Sequence, residues 1–254
     1  MKRLAWVDAK VIEAQELSLD APYVMQRIHT YCGRVANVER HLALLRDASE
    51  ELFGLASLCG AGDARRIISR LLEASRVTSN FSVPVAMRID YRGVLSFEVE
   101  NPTYGAGCYL RAKRPVGVTI RMTPPECVAQ TSASVAIDAL AESRVALRGG
   151  EKALWIDGDN MLISRPWMPI FAFFRDTVYT PTELQSVEYD MTCRAIHAAG
   201  YHLAVRAIPE EVLQRMEELF VVDIMGVSAY GEVGEHKLLS AAAKRIAEKI
   251  HLFD

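Results

Sequence analysis

Two short segments carry charge at strand spacing, and any chemistry would start there. In 25–31 the residues Arg27, His29 and Tyr31 recur at every second position, and in 87–92 so do Arg88, Asp90 and Arg92. Successive strand side chains point to opposite faces, so each trio is expected to share a face. Guanidinium groups gathered on one face suit a small anion, which they hold through paired N–H donors. A solvated polar sheet face backed by core gives the same pattern. Other candidates are weaker. Ser132, Ser134 and Ser164 lie in no Gly-x-Ser-x-Gly elbow, and the first two suit helix caps. His41 sits beside an apolar helix stripe, a structural setting. His197 and His236 are expected to face solvent, and His202 lacks a cysteine or carboxylate at ligand spacing. Cys127, in a proline-rich loop, is expected to be the most exposed thiol, with no base beside it. Trp155, Trp167, Phe171, Phe173 and Phe174 read as core or subunit-contact aromatics.

The elements that must position these residues follow from periodicity. Strands are expected at 4–7 and 24–31, with Gly33 reversing the chain. Region 38–58 reads as a helix striped by Leu42, Leu45, Leu52 and Leu55. Residues 60–63 stop it and cap a second helix striped by Ile67, Ile68, Leu71 and Leu72. Strands at 83–91, 94–99 and 108–112 complete two helices over an antiparallel sheet. Lys113-Arg114-Pro115-Val116-Gly117 reads as a linker. Beyond it come a strand at 118–122 and a helix at 134–148 with Val135, Leu140, Val145 and Leu147 inward. A hairpin turns at Gly158-Asp159-Asn160, and strands follow at 169–174 and 178–179. A helix capped by Thr182 closes at Gly200, and the chain ends with strand 201–208, helix 209–218, strand 219–225 and helix 237–250. The expected fold class is α+β in two domains, a small one at 1–114 and a larger sheet-and-helix one at 115–254, with a cleft between them.

Composition narrows the partners. At 254 residues, half of them apolar and 24% charged, the chain reads as an ordinary soluble globular protein. A net charge of −3 gives no electrostatic reason to expect nucleic acid or an anionic membrane. No apolar run approaches a membrane span. The scattered Cys32, Cys59, Cys108, Cys127 and Cys193 form no Cys-x-x-Cys pair, which argues for reduced thiols in a cytoplasm and against a zinc site or disulfide frame. The first ten residues break their apolar run with Asp8 and Lys10, so no signal peptide is expected.

Several motifs occur in a telling order: Val24-Met25-Gln26-Arg27-Ile28-His29-Thr30-Tyr31-Cys32-Gly33-Arg34, Val38-Glu39-Arg40-His41-Leu42-Ala43-Leu44-Leu45, Met87-Arg88-Ile89-Asp90-Tyr91-Arg92-Gly93, Leu154-Trp155-Ile156-Asp157-Gly158-Asp159-Asn160 and Glu217-Glu218-Leu219-Phe220-Val221-Val222. Together they resemble the class IV (fold-type IV) aminotransferases, which include branched-chain and D-amino acid aminotransferases and aminodeoxychorismate lyase. The resemblance covers nearly the whole chain. It implies a homodimer and a cleft that holds pyridoxal phosphate (PLP) on a lysine, with an acid at the pyridine nitrogen and donors for the phosphate. It also implies that the strands bearing Arg27 and Arg88 form a cleft wall supplying cations to carboxylates.

The residues at the implied PLP positions depart from the pattern. No lysine occurs from Arg114 to Glu151, and Thr131 falls at the imine-forming position. Leu44 stands for the phosphate-facing arginine and Ser164 for the glutamate at the pyridine nitrogen. Glu188 would face the phosphate, Asp223 falls in the Thr-Gly-Thr turn, and the glycine-rich loop after Asp20 shrinks to Ala21-Pro22-Tyr23. A threonine hydroxyl forms no imine, and carboxylates repel a dianion. Neither PLP nor a metal is therefore expected. Two readings stay open. One is a PLP-independent binding or scaffold protein for a small anionic ligand, with Arg27, His29, Arg88, Arg92, Thr131, Ser164, Glu188 and Asp223 as cleft candidates. The other is a cofactor-independent enzyme on a small carboxylic acid, using His29, Glu188 or Asp223 as acid or base. An intact PLP aminotransferase or lyase is the least supported.

Overall fold

Alternating side chains decide the first sheet of this computed structural model, which describes residues 1–56, 59–77, 82–103 and 110–253. The chain divides into two units: Met1–Gly107 with Cys127–Ala133 and Leu252–Asp254, and Cys108–Glu126 with Ser134–His251. In the first unit β1 (Leu4–Val7), β2 (Lys10–Glu13), β3 (Tyr23–Ile28), β6 (Val85–Asp90), β7 (Leu95–Val99) and β9 (Gln130–Thr131) build one sheet in the order β2-β1-β7-β6-β3-β9. Every adjacent pair in it is antiparallel. One face, with Val24, Ile28, Val85, Met87, Ile89, Phe97 and Val99, closes on α1 (Val38–Phe53) and α2 (Ala61–Ala74) as a continuous apolar core. The register puts Met25 opposite Arg88, Arg27 opposite Ala86 and Glu98 between Ala86 and Ala5, so these residues share the other face.

Two sequence expectations change here. The strand expected over 24–31 breaks at His29, because Thr30–Tyr31 (β4) leaves the sheet to pair with Arg34–Val35 (β5). The turn between them places Cys32 and Gly33 at φ 50° and 73°, the conformation of a tight hairpin. The first helix stops at Phe53 instead of 58, because Gly54 at φ 71° lets its N–H and that of Leu55 close on the carbonyls of Glu50 and Ser49. Leu52, in the last turn of that helix, is exposed rather than buried.

The second unit holds β8 (Val116–Arg121), α3 (Ser132–Ala146, part of this unit from Ser134), β10 (Lys152–Ile156), β11 (Ile170–Phe174), β12 (Thr177–Thr180), α4 (Val187–Ala198), β13 (His202–Val205), β14 (Glu218–Asp223), β15 (Gly226–Ala229), β16 (Glu232–Val233), β17 (His236–Lys237) and α5 (Ala241–Ala247). They form a four-stranded sheet β10-β8-β16-β17 and a five-stranded sheet β13-β12-β11-β14-β15. Ala141 and Val145 of α3 close on Ile120, Ala153 and Trp155. Leu140 and Leu147, expected inward, are instead 54% and 86% exposed, since only the Ala141–Val145 stripe meets the sheet. Ser186, not Thr182, caps α4, its Oγ accepting from the Tyr189 N–H at 3.0 Å. The helix expected at 209–218 is a short 3₁₀ turn, Glu210–Arg215, and the last helix is α5 alone. The expected linker enters a strand at Val116, and Arg114 is fixed by the carbonyls of Tyr230, Leu238 and Leu239. Of the strand expected at 108–112, residues 108–109 lie outside the described residues, and Leu110 bridges to Val227.

Candidate functional site

Small residues make room for charge on the polar face of the first sheet. Ala5 and Ala86 flank Glu98 on the neighbouring strands, and neither blocks the approach of longer side chains. Arg88 reaches diagonally to Glu98 with Nη2 at 2.9 Å from Oε2, and Arg3 binds the other carboxylate oxygen. Arg88 is only 6% exposed, and its Nε and Nη1 are buried without an acceptor. Each unmet buried donor costs about 1–3 kcal/mol. The Tyr23 ring lies 5.8 Å from the guanidinium carbon. Beside it is a concavity of about 420 Å³ lined by Arg88, Arg92, Tyr23 and Ser96 together with residues of the segment 7–21.

The expected cluster of Arg27, His29, Arg88 and Arg92 comes together only in part. Arg88 and Arg92 line that concavity. Arg92 forks onto Asp90 at 2.9 and 2.6 Å, and is mostly exposed. Burial acts to raise the Asp90 carboxyl, but the Val94 N–H and the Arg92 guanidinium outweigh it and hold the group below its usual range. Arg27 shares the sheet face but is already satisfied, by Glu100 at 2.9 and 3.1 Å and by the Gln130 side-chain oxygen at 2.6 Å. His29 departs most from expectation. The strand breaks at this residue, and its ring is buried without a partner at Nε2. Burial lowers its pKa to about 4. It lies within electrostatic reach of His41 on α1, whose pKa falls to about 3 through burial and then repulsion from His29 and Arg40. His41 Nδ1 is 2.9 Å from the Gln26 side-chain oxygen, on the helix-facing side of the sheet.

Thr131 ends β9, paired with Val24, immediately before α3, and is buried. Ser164 is buried and its Oγ accepts from the Ile170 N–H at 3.0 Å, which fixes the entry to β11. Glu188 is buried in the first turn of α4, where the helix dipole favours a carboxylate. Asp223 accepts from the Met225 N–H at 2.7 Å and so shapes the turn between β14 and β15. Leu44 is wholly buried. Among the lysines, Lys2, Lys10, Lys113, Lys237, Lys244 and Lys249 are exposed, and the half-buried Lys152 faces Glu142 at 3.5 Å. Among the described residues no group of three or more His, Cys, Asp or Glu could hold a metal ion, and no helix is long and apolar enough to cross a membrane.

Sequence reasoning missed the acids that organise these cations, Glu98 and Glu100. The alternation of 95–99 against 85–90 was the available signal for Glu98. It also missed Arg165, which is buried over the Trp155 ring at 4.3 Å and binds Asp138, an acid that also accepts from Trp167 Nε1 at 3.1 Å. Burial holds the Arg165 pKa below its usual value. Among the described cysteines Cys32, not Cys127, is the exposed one, because Cys127 packs against the first core and burial raises its pKa.

No protein-family model matches the chain, and no curated protein matches it. Solved structures do. An aminotransferase from Brucella abortus bound to PLP superposes with TM-score 0.81 at 15% identity, covering 98% of each chain. A branched-chain aminotransferase from Thermoproteus uzoniensis with norvaline gives 0.79 at 16%, covering 98% of this chain and 93% of that one. A hypothetical aminotransferase from Mycobacterium tuberculosis in PLP-bound form gives 0.77 at 14%, covering 98% of both. The chain therefore has the class IV aminotransferase fold. A fold leaves the reaction open, because activity resides in the site.

Proposed function

We propose that this chain uses the class IV scaffold without PLP, as a binding or scaffold protein for a small anion. The observation that carries the reading is the setting of its lysines. An imine-forming lysine needs a sheltered amine, and here six are exposed while Lys152 is paired with Glu142. Thr131 holds the strand-to-helix junction where the sequence resemblance calls for that lysine. The other positions are no more favourable. The Ser164 hydroxyl accepts from a backbone N–H, and at positions that the sequence resemblance assigns to the phosphate's surroundings Glu188 and Asp223 bring negative charge instead of donors. The residues present do not fit the cofactor. His29 supports no acid–base role, since its ring is buried and its pKa is low. The anion reading rests on the arginines of the first sheet.

Two expectations accompany this reading. The protein is cytoplasmic, in keeping with free cysteines that include the exposed Cys32. It is also a homodimer, which light scattering would read as a dimer mass. The direct test is spectroscopic. The purified protein is expected to be colourless after dialysis against PLP, and Thr131→Lys to gain no transaminase activity. A yellow protein with one PLP per chain sinks the proposal.

A further inference from the structure

The five-stranded sheet ends at β13, and the outer edge of that strand is open. It pairs in parallel with β12, where the His202 N–H reaches the Asp176 carbonyl at 3.1 Å and the Arg206 N–H the Thr180 carbonyl at 3.0 Å. Alternate residues of a strand turn their backbone groups to opposite sides, so the N–H and C=O of Leu203 and Val205 point away from β12. Among the described residues nothing pairs with those groups. Side chains alternate between the faces of the sheet as well. Leu203 and Val205 line a concavity of about 550 Å³ with Tyr189 and Cys193 of α4, and its charged lining residues are Glu183 and Asp190. Arg206, of opposite parity, lines a second concavity of about 290 Å³ with Phe174, Tyr179 and Met216, and its charged lining residues are Arg206 and Arg215. The Arg206 guanidinium lies over the Tyr179 ring at 5.6 Å, and no acid among the described residues pairs with either arginine. One open edge is thus flanked by an acidic concavity on one face and a basic one on the other.

We propose that this edge is a docking site for an extended segment of a partner protein in which acidic and basic residues alternate. The segment adds a strand beside β13 and pairs its backbone with the outward groups of Leu203 and Val205, while its side chains reach the two concavities. Successive residues of a strand face opposite ways, so the acidic residues of the partner meet Arg206 and Arg215 and the basic ones meet Glu183 and Asp190. Phe174 and Met216 give the methylene stems of the acidic residues apolar contact. A second copy of the chain is the poorer occupant. Two β13 strands paired antiparallel about a two-fold axis keep like faces together, which sets Arg206 beside its own counterpart and Glu183 beside its own. The strand has only four residues, and a short edge flanked by charge resists indiscriminate pairing. Recognition is left to a segment of matching charge. The inference is independent of the anion-binding reading above, which rests on the first sheet.

The test is a fluorescence-polarisation titration of the whole chain with a labelled peptide of about six residues in which glutamate and lysine alternate. The control peptide has the same composition, with its glutamates first and its lysines last. The alternating peptide should bind about tenfold more tightly than the control, because only its pattern sorts the charges between the two faces. Val205→Pro removes an outward N–H and leaves the ladder to β12 intact, a change that edge strands tolerate. It should weaken binding by about threefold to tenfold. Arg206→Glu puts an acid on the basic face and should weaken binding about tenfold, with thermal unfolding little changed because Arg206 is exposed. Arg144→Glu, an exposed change outside both concavities, should stay within about twofold. Equal binding of the two peptides, or no binding of the alternating one, overturns the proposal. Undiminished binding by Val205→Pro overturns it too, since the edge would then take no part. An equal loss in Arg144→Glu and Arg206→Glu reduces the effect to general charge attraction and removes the site. A dimer that Val205→Pro converts to a monomer mass in light scattering assigns the edge to a second copy and overturns the partner.

Discussion

Arg165 in the second unit and Arg88 in the first are both buried guanidinium groups, and their surroundings treat them differently. Arg165 is enclosed by the Asp138 carboxylate, the Trp155 ring and the Met168 sulfur at 3.8 Å. Arg88 is paired along one edge and unmatched along the other. Removing a guanidinium from water costs several kcal/mol even after relaxation, and that cost must be offset by partners. The protein supplies them at Arg165 and leaves them incomplete at Arg88. A complete set makes a structural cation, and an incomplete one leaves two buried donors unmet. His29 and His41 take a third course open only to a weaker base, for they remain buried by staying uncharged.

The largest effect that can sharpen this contrast is at Asp138. Asp138→Ala leaves Arg165 buried without its carboxylate and is expected to cost about 3–5 kcal/mol in denaturant unfolding. Arg88→Met should cost clearly less, because Arg3 remains on Glu98 and two unmet donors disappear. An equal or larger loss at Arg88 would break the comparison and make that side chain structural too.

Acid should act next. Both histidines have folded pKa values, about 4 and about 3, below the ordinary 6.5. The unfolded chain therefore binds more protons as pH falls. The stability they allow is complete above pH 6.5 and is lost as pH drops toward 4, by up to about 1.4 kcal/mol per pH unit for each ring. Unfolding free energies measured from pH 7 to pH 4 should show this limb, and His41→Gln should flatten it. A flat profile would mean the rings are not held neutral.

The fold was largely legible, and the reasons are local. Periodicity placed α1 and α2 over an antiparallel sheet because their apolar residues fall on one face each, as Leu42, Leu45, Ile68 and Leu71 do. It failed where tertiary packing selects among similar residues. Nothing local distinguishes Leu147, left in solvent, from Val145, buried under the second sheet. The candidate site was legible only as a list of cations. Whether a cation is free depends on acids distant in the chain, and Glu98 and Glu100 decide the fates of Arg88 and Arg27. His29 was misplaced because strand alternation assumes an unbroken strand, and the break at that residue comes from the pairing of β4 with β5.

Two smaller effects bound the account. Ser186→Ala removes the acceptor for the Tyr189 N–H and should cost about 1 kcal/mol in thermal or denaturant unfolding. Arg92→Ala breaks an exposed fork on Asp90 and should change stability by less than about 1 kcal/mol. A larger loss at Arg92 would show that it shares the burial of Arg88.

The central claim is that this class IV fold operates without a lysine-bound cofactor. Its most direct measurement is the intact mass of the protein after incubation with PLP and reduction with borohydride. The account predicts the mass of the unmodified chain. A stoichiometric pyridoxyl adduct, mapped to Lys152 or to any other single lysine, would contradict it.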